Sequence, residues 1–232
     1  MIKGIVKVLS KAPSFIVRPS IRGVVGVYLN KYANIKIHNQ ENLKNIKGPV
    51  IFISNHLSNA DGLVLNKILK SYNPYFVAGV KLGSTSMSKL GLEMVNVIPI
   101  KANSADVEAL KKCIQAIKEE KNLFIFPEGT RSRDGKMIEG KKGIVLIARK
   151  ANVPIVPIGI WGTEKLMPIN DDNMGEEIFA RADVNVSVGT AFELPKFIKG
   201  ENKEDYSNMC LKKIMKSISN QIPNEYQGVY ED

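Results

Sequence analysis

Residues 50–61 read Val-Ile-Phe-Ile-Ser-Asn-His-Leu-Ser-Asn-Ala-Asp. An apolar run with no polar interruption turns abruptly into a polar stretch carrying a histidine and a carboxylate. A continuous apolar run of this length is what a strand buried on both faces requires, and burial on both faces requires helices above and below the sheet. The pattern recurs down the chain at Tyr75–Ala78 (YFVA), Val95–Ile100 (VNVIPI), Leu123–Phe126 (LFIF), Ile155–Ile160 (IVPIGI) and Val184–Val188 (VNVSV). Between these runs the apolar spacing is helical, over 60–71, 84–92, 105–120 and 141–151. Ser104 is the expected N-cap of the third of these helices, with Val107, Leu110, Ile114 and Ile117 along its inner face. A last helix over 203–222 places Tyr206, Met209, Cys210, Ile214 and Ile218 on one side. The expected fold is α/β, a mixed and mostly parallel sheet covered by helices on both faces. No internal repeat, low-complexity tract or linker interrupts it.

Composition narrows the classes. The 232 residues are 44% hydrophobic and 24% charged, which is ordinary globular usage and excludes a disordered or collagen-like chain. No apolar run approaches the roughly 18–20 residues that cross a bilayer. The two cysteines, Cys113 and Cys210, stand far apart without ligand-spaced neighbours, so neither a disulfide framework nor a zinc site is written here. A reducing compartment is expected.

The net charge of +10 is distributed unevenly. The first 40 residues contain no Asp or Glu but carry Lys3, Lys7, Lys11, Arg18, Arg22, Lys31 and Lys36. On a helical projection Met1, Ile2, Ile5, Val6, Val8 and Leu9 occupy an arc of about 160°, with Lys3, Lys7 and Lys11 opposite. Pro13 is expected to close that helix and Pro19 to open a second, from Ser20 to Asn34, with Ile21, Val24, Val25, Tyr28, Leu29 and Tyr32 apolar. A basic amphipathic hairpin over 1–34 suits an anionic membrane interface; docking of the same face on the rest of the protein is the competing reading. Residues 35–232 form the α/β domain in this scheme.

The polar stretch after the first strand carries the chemistry. His56 and Asp61 are five apart, about 140° around a regular helix, so they meet only across a strand–loop–helix junction. A carboxylate on one imidazole nitrogen sets the tautomer and raises the basicity of the other, giving an oriented general base. Ser58 is a conceivable nucleophile, but the chain has no G-x-S-x-G elbow, and a hydroxyl on the substrate is the better candidate. Ser58-Asn59-Ala60-Asp61 also matches a helix capping box, which would give Asp61 a structural task. The run LFIF is followed by Pro127-Glu128-Gly129-Thr130-Arg131-Ser132-Arg133, and VNVIPI by Lys101. In open α/β sheets ligands bind beyond the C-terminal ends of the strands. Parallel strands would therefore bring His56, Arg131 and Lys101 to one cleft, where two cations and a Gly-Thr turn suit a phosphorylated substrate.

Asn55-His56-x-Ser58-x-x-Asp61 and Phe126-Pro-Glu-Gly-Thr-Arg-Ser132 resemble the first and third motifs of the glycerolipid acyltransferases. The nearest pattern is that of the bacterial 1-acyl-sn-glycerol-3-phosphate acyltransferases. Val153–Ile158 (VPIVPI) is similar to their fourth, apolar motif, and the likeness runs from about residue 35 to 195. The second motif departs: Val97-Ile98-Pro99-Ile100-Lys101 ends in lysine where the family has arginine, which keeps a point charge and loses the bidentate fork. The resemblance implies acyl transfer from acyl-CoA or acyl carrier protein to the free hydroxyl of a lysophospholipid, in phospholipid biosynthesis at the cytoplasmic face of the membrane. It implies His56 and Asp61 as catalytic residues, Lys101 and Arg131 as phosphate ligands, and Glu128 organising the Gly129–Thr130 loop. No metal or cofactor is implied. A different lysophospholipid or an amine-bearing lipid is the alternative acceptor. A nucleic-acid partner is not expected: aromatics are 7% and no recognition motif interleaves the basic residues.

Overall fold

The structure, a computed structural model, describes residues 14–79, 95–101, 106–170 and 177–231, with side chains from residue 19 onward. Helix α1 (Ser14–Tyr32) leads into strand β1 (Ala33–His38) and a short helix α2 (Glu41–Lys44). Then follow β2 (Ile51–Ser54), α3 (Ala60–Ile68), β3 (Tyr75–Gly79), β4 (Asn96–Ile100) and α4 (Val107–Lys118). The chain continues through β5 (Leu123–Ile125), α5 (Gly143–Ala151), β6 (Ile155–Trp161), α6 (Thr163–Leu166) and β7 (Ala182–Val188). It ends in α7 (Lys203–Ser219), α8 (Asn224–Gln227) and a 3₁₀ turn at Gly228–Tyr230.

The seven strands form one sheet in the order β1-β7-β6-β2-β5-β3-β4. All neighbours are parallel except β6 and β7, so β1 and β7 run against the other five. The expected mixed, mostly parallel sheet is what forms. Its two faces follow from the two-residue period of a strand. Phe52, Phe76, Phe124, Val156, Ile158 and Ile160 pack on one face against Leu63, Val64 and Leu65 of α3 and Ile21 and Leu29 of α1. Ile51, Ile53, Leu123, Ile125 and Ile155 pack on the other against Cys113 of α4, Ile144 and Ile147 of α5, and Ile214 and Ile218 of α7.

Several local expectations change. The helix leading into the sheet does not begin after Pro19 but runs through it, and it stops at Tyr32 because Ala33 already pairs with Ala182 in the sheet. Strand β1 was invisible as an apolar run because it is an edge strand exposed on one side: Ile35 and Ile37 turn inward while Asn34, Lys36 and His38 face solvent. Helix α4 is capped two residues later than expected, by Asp106, whose carboxylate accepts from the Ala109 N–H at 3.0 Å. The last helix stops at Ser219, three residues early, and the chain turns back through Asn220 and Gln221. The expected helix at 84–92, Ser104, and the first arm of the N-terminal hairpin lie outside the described residues. Among those described, no helix is long and apolar enough to cross a membrane.

Candidate active site

Register determines which loops meet. Ile51 is paired with Leu123, Leu123 with Tyr75, and Tyr75 with Asn96, so these residues stand in one row across four strands. His56, Glu128 and Lys101 each lie five positions beyond that row, at one edge of the sheet. Adjacent strands β2 and β5 send their following helices to opposite faces: α3 packs with the Phe52 side and α5 with the Ile51 side. The loops diverge there, and such a divergence is where open α/β sheets form the crevice that holds ligands.

His56 stands in that crevice, held from several sides. Its Nδ1 lies 2.8 Å from Asp61 Oδ2. With the carboxylate as acceptor, Nδ1 carries the proton and Nε2 presents a lone pair. The same Oδ2 accepts the backbone N–H groups of Leu57 at 2.6 Å and Ser58 at 2.9 Å. Asp61 is fully buried in the first turn of α3, where the helix dipole favours a negative charge. Ser58 Oγ accepts from the Ala60 N–H at 3.1 Å and donates to the Met167 carbonyl at 2.7 Å. Asp61 thus reaches back to the Ser58 N–H in the manner of a capping box while bonding the imidazole; the two readings of this tetrapeptide are compatible. Ser58 is buried and its hydroxyl proton is committed to Met167, which removes it as a nucleophile.

The backbone of His56 is gripped by the second loop. Its N–H donates to Glu128 Oε1 at 2.9 Å, and its carbonyl accepts from the Ser132 N–H at 2.8 Å. Glu128 Oε2 accepts from the Ile138 N–H at 2.9 Å. The expectation that Glu128 organises its own Gly129–Thr130 turn is therefore corrected: the carboxylate faces the histidine loop. It is fully buried, and burial pushes its pKa up to about 7 against the pull of those two N–H donors. The turn itself closes by a bond from the Gly129 N–H to the Phe126 carbonyl at 3.1 Å, with Gly129 at φ +71°. That N–H is not available to an anion; Gly129 and Thr130 are both exposed.

The imidazole stacks on Phe126, with ring centroids 3.9 Å apart and planes inclined at 13°. Phe126 in turn meets Phe124 edge-on. The side chain of His56 keeps 19% exposure, so part of it is reachable from solvent. Arg131 approaches the same crevice from the second loop and lies with one nitrogen 3.5 Å from Glu177 Oε1. Lys101 shares the edge but ends β4, three strands from β2, about 14 Å away at ordinary strand spacing. It is exposed, and its N–H donates to Asp106 Oδ2 at 2.8 Å. The structure thus brings His56, Asp61, Glu128 and Arg131 together and leaves Lys101 at the periphery.

Four contributors were not assigned a task from sequence. Asn55 is buried, and its side-chain amide bonds both the N–H and the carbonyl of Ile160, at 2.9 and 2.8 Å, extending the β2–β6 ladder by one residue. Phe126 had a signal, an aromatic closing an apolar strand just before the Glu-Gly-Thr-Arg loop. Ser132 and Glu177 had none, because their partners are distant in sequence. Among the described residues no group of three or more His, Cys, Asp or Glu could hold a metal ion.

A family model described as Acyltransferase matches residues 34–161. A chloroplastic 1-acyl-sn-glycerol-3-phosphate acyltransferase of Brassica napus is 35% identical over 154 residues, covering 66% of this chain and 43% of that protein. A protein of Bacillus subtilis named 1-acyl-sn-glycerol-3-phosphate acyltransferase is 24% identical over 198 residues, covering 84% of this chain and 94% of its own. The chain spans about two fifths of the length of the chloroplast relatives it matches. The crystal structure of the Thermotoga maritima lysophosphatidic acid acyltransferase PlsC shares the fold, with a TM-score of 0.64 at 24% identity over 89% of this chain and 80% of that one.

Proposed function

The chain belongs to the acyltransferase family, and from that premise we propose that it transfers a fatty acyl group from a thioester to the free sn-2 hydroxyl of 1-acyl-glycerol-3-phosphate, forming phosphatidic acid. The observation that carries the reading is the His56–Asp61 pair, bonded at 2.8 Å, with the carboxylate buried and the imidazole partly exposed. Nε2 takes the proton of the acceptor hydroxyl as its oxygen attacks the thioester carbonyl. The tetrahedral intermediate collapses with cleavage of the C–S bond, and the imidazolium returns its proton to the departing thiolate. Asp61 holds the ring in the required tautomer and stabilises its charged form. Arg131 takes the acceptor phosphate, which turns an encounter into an oriented attack, and Lys101 at the same edge adds long-range attraction. The position of Arg131, next to the Ser132 N–H that bonds the His56 carbonyl, supports its role; that of Lys101, on the outermost strand, rests on the sequence, and the mechanism uses no cofactor.

The donor is an acyl carrier protein or coenzyme A thioester. Either is anionic and is drawn to a chain of net charge +10. The apolar side of α1 docks on the sheet through Ile21 and Leu29, and it is the acid-free run of lysines and arginines over the first 34 residues that supports work at an anionic membrane surface, on the cytoplasmic face, as a peripheral or monotopic protein.

The test is acyl transfer from a long-chain thioester to lysophosphatidic acid in mixed micelles. Wild type forms phosphatidic acid, and His56→Ala lowers turnover by about 10²–10⁴-fold, the range for loss of a catalytic base. Undiminished turnover in folded His56→Ala refutes the mechanism. Product only with another lysolipid keeps the chemistry and replaces the acceptor.

A further inference from the structure

Glu177 lies far in sequence from both catalytic loops yet joins them. Its side chain is 1% exposed. One oxygen, Oε1, accepts from the Asn59 side-chain amide at 2.6 Å and lies 3.5 Å from the Arg131 guanidinium. Asn59 belongs to the loop between His56 and Asp61, and Arg131 to the loop whose Glu128 and Ser132 grip the His56 backbone. A buried carboxylate is costly unless it is paired and hydrogen-bonded, so its presence here needs a compensating partner, and Arg131 supplies the charge. The segment carrying Glu177 is itself secured, by the Ala180 N–H donating to the Leu166 carbonyl at 2.8 Å and by Phe179 packing on Tyr28 and Tyr32 of α1.

Arginine is a long, rotamer-rich side chain, and orienting it at the moment of binding costs affinity. A buried carboxylate that already holds one guanidinium nitrogen removes part of that cost and leaves a planar fork whose direction is set. We propose that Glu177 is the positioning residue of the acceptor clamp: it ties Arg131 and Asn59 to one oxygen, so that the guanidinium meets the acceptor's phosphate while the hydroxyl lies at His56. This rests on the reading of Arg131 as the phosphate ligand.

The experiment measures Michaelis constants for lysophosphatidic acid and for the thioester with wild type, Glu177→Gln, Arg131→Ala and the double variant. Gln keeps the shape and can still accept from Asn59, but no longer holds the cation. Glu177→Gln raises the acceptor KM about tenfold, the effect of one charge-assisted contact, and moves the donor KM much less. The double variant is no worse than Arg131→Ala, because Glu177 acts through that arginine. Glu177→Asp, which keeps the charge and withdraws it by one methylene, shows the same split should the Gln variant not fold. If Arg131→Ala raises the acceptor KM while both Glu177 variants leave it unchanged or lower it, the positioning role is overturned and the clamp stands. Equal increases for donor and acceptor also overturn it, since a general disturbance of the fold does that. If Arg131→Ala itself leaves the acceptor KM unchanged, the clamp falls and the proposal with it.

Discussion

Replacing Glu128 by glutamine separates what the buried carboxylate does for stability from what it does for the site. The folded pKa is pushed from the ordinary 4.5 up to about 7, chiefly by burial. A raised carboxyl pKa means that the native state binds more protons than the unfolded chain between those values. Stability contributed by the protonated form is therefore present at low pH and lost as pH rises from about 4.5 through about 7. Across the whole shift this amounts to about 3 kcal/mol, and between pH 5 and pH 8 to about 2–3 kcal/mol. Glutamine mimics the protonated acid and cannot ionise. Glu128→Gln is accordingly expected to gain about 2–3 kcal/mol on wild type in going from pH 5 to pH 8, read from urea unfolding of both proteins at each pH. Activity moves the other way. Two N–H groups, of His56 and Ile138, converge on the carboxylate oxygens, and an amide offers an acceptor to only one of them. The loop that places the imidazole loosens, and turnover at pH 8 is expected to fall by about tenfold or more. A stability difference that stays constant from pH 5 to pH 8 would refute the reasoning, because it would mean that Glu128 titrates like a solvated carboxyl.

Ser58→Ala is expected to keep turnover within about threefold of wild type while costing about 1–3 kcal/mol of stability, since it strands the Met167 carbonyl and the Ala60 N–H. A loss of a thousandfold in the steady-state assay would reinstate Ser58 as a nucleophile. Phe126→Leu removes the surface on which the imidazole stacks at 3.9 Å and is expected to lower kcat by about tenfold; unchanged kcat would mean that Asp61 alone orients the ring. Gly162→Ala forces a side chain onto a residue at φ +88° and against the Asp183 carbonyl oxygen. Thermal unfolding should show a loss of about 3 kcal/mol or more, and a neutral result would place that turn elsewhere.

What sequence alone made visible follows the range of the interaction. Strands β2 to β7 announce themselves because each carries a short apolar or β-branched run, buried along the whole of β2 and β5 and nearly all of β6. Strand β1 does not, because one of its sides faces water and Ile-Lys-Ile-His reads as an ambiguous alternation. The His56–Asp61 link spans five residues and a helix start, so spacing and capping chemistry suffice to suggest it. The place of Lys101 was legible only halfway: following an apolar run puts it at the correct edge, but strand order alone tells that β4 is outermost. Glu128 was read from its neighbours in the chain, Gly129 and Thr130, whereas its hydrogen bonds go to residues 72 and 10 positions away. Local spacing cannot supply such partners.

The same distinction explains how this site achieves positional precision. The imidazole has two ring torsions to restrain and a backbone to hold in place. Asp61 restrains the ring through Nδ1, and Phe126 restrains its plane. Glu128 takes the N–H of His56, and Ser132 donates to its carbonyl. Three of these four restraints come from residues 126–132, the loop after β5, and that loop is adjacent to His56 only because β5 is inserted beside β2 in the sheet. The loop that carries Arg131 is thus also the scaffold of His56. Asp61, anchored in α3, holds the same stretch from the other side, through Nδ1 of His56 and the N–H groups of Leu57 and Ser58. Residues 56–58 are therefore clamped between α3, which packs on the Phe52 face, and the loop that leads from β5 to α5 on the Ile51 face. The position of the imidazole thus depends on the packing of both halves of the core.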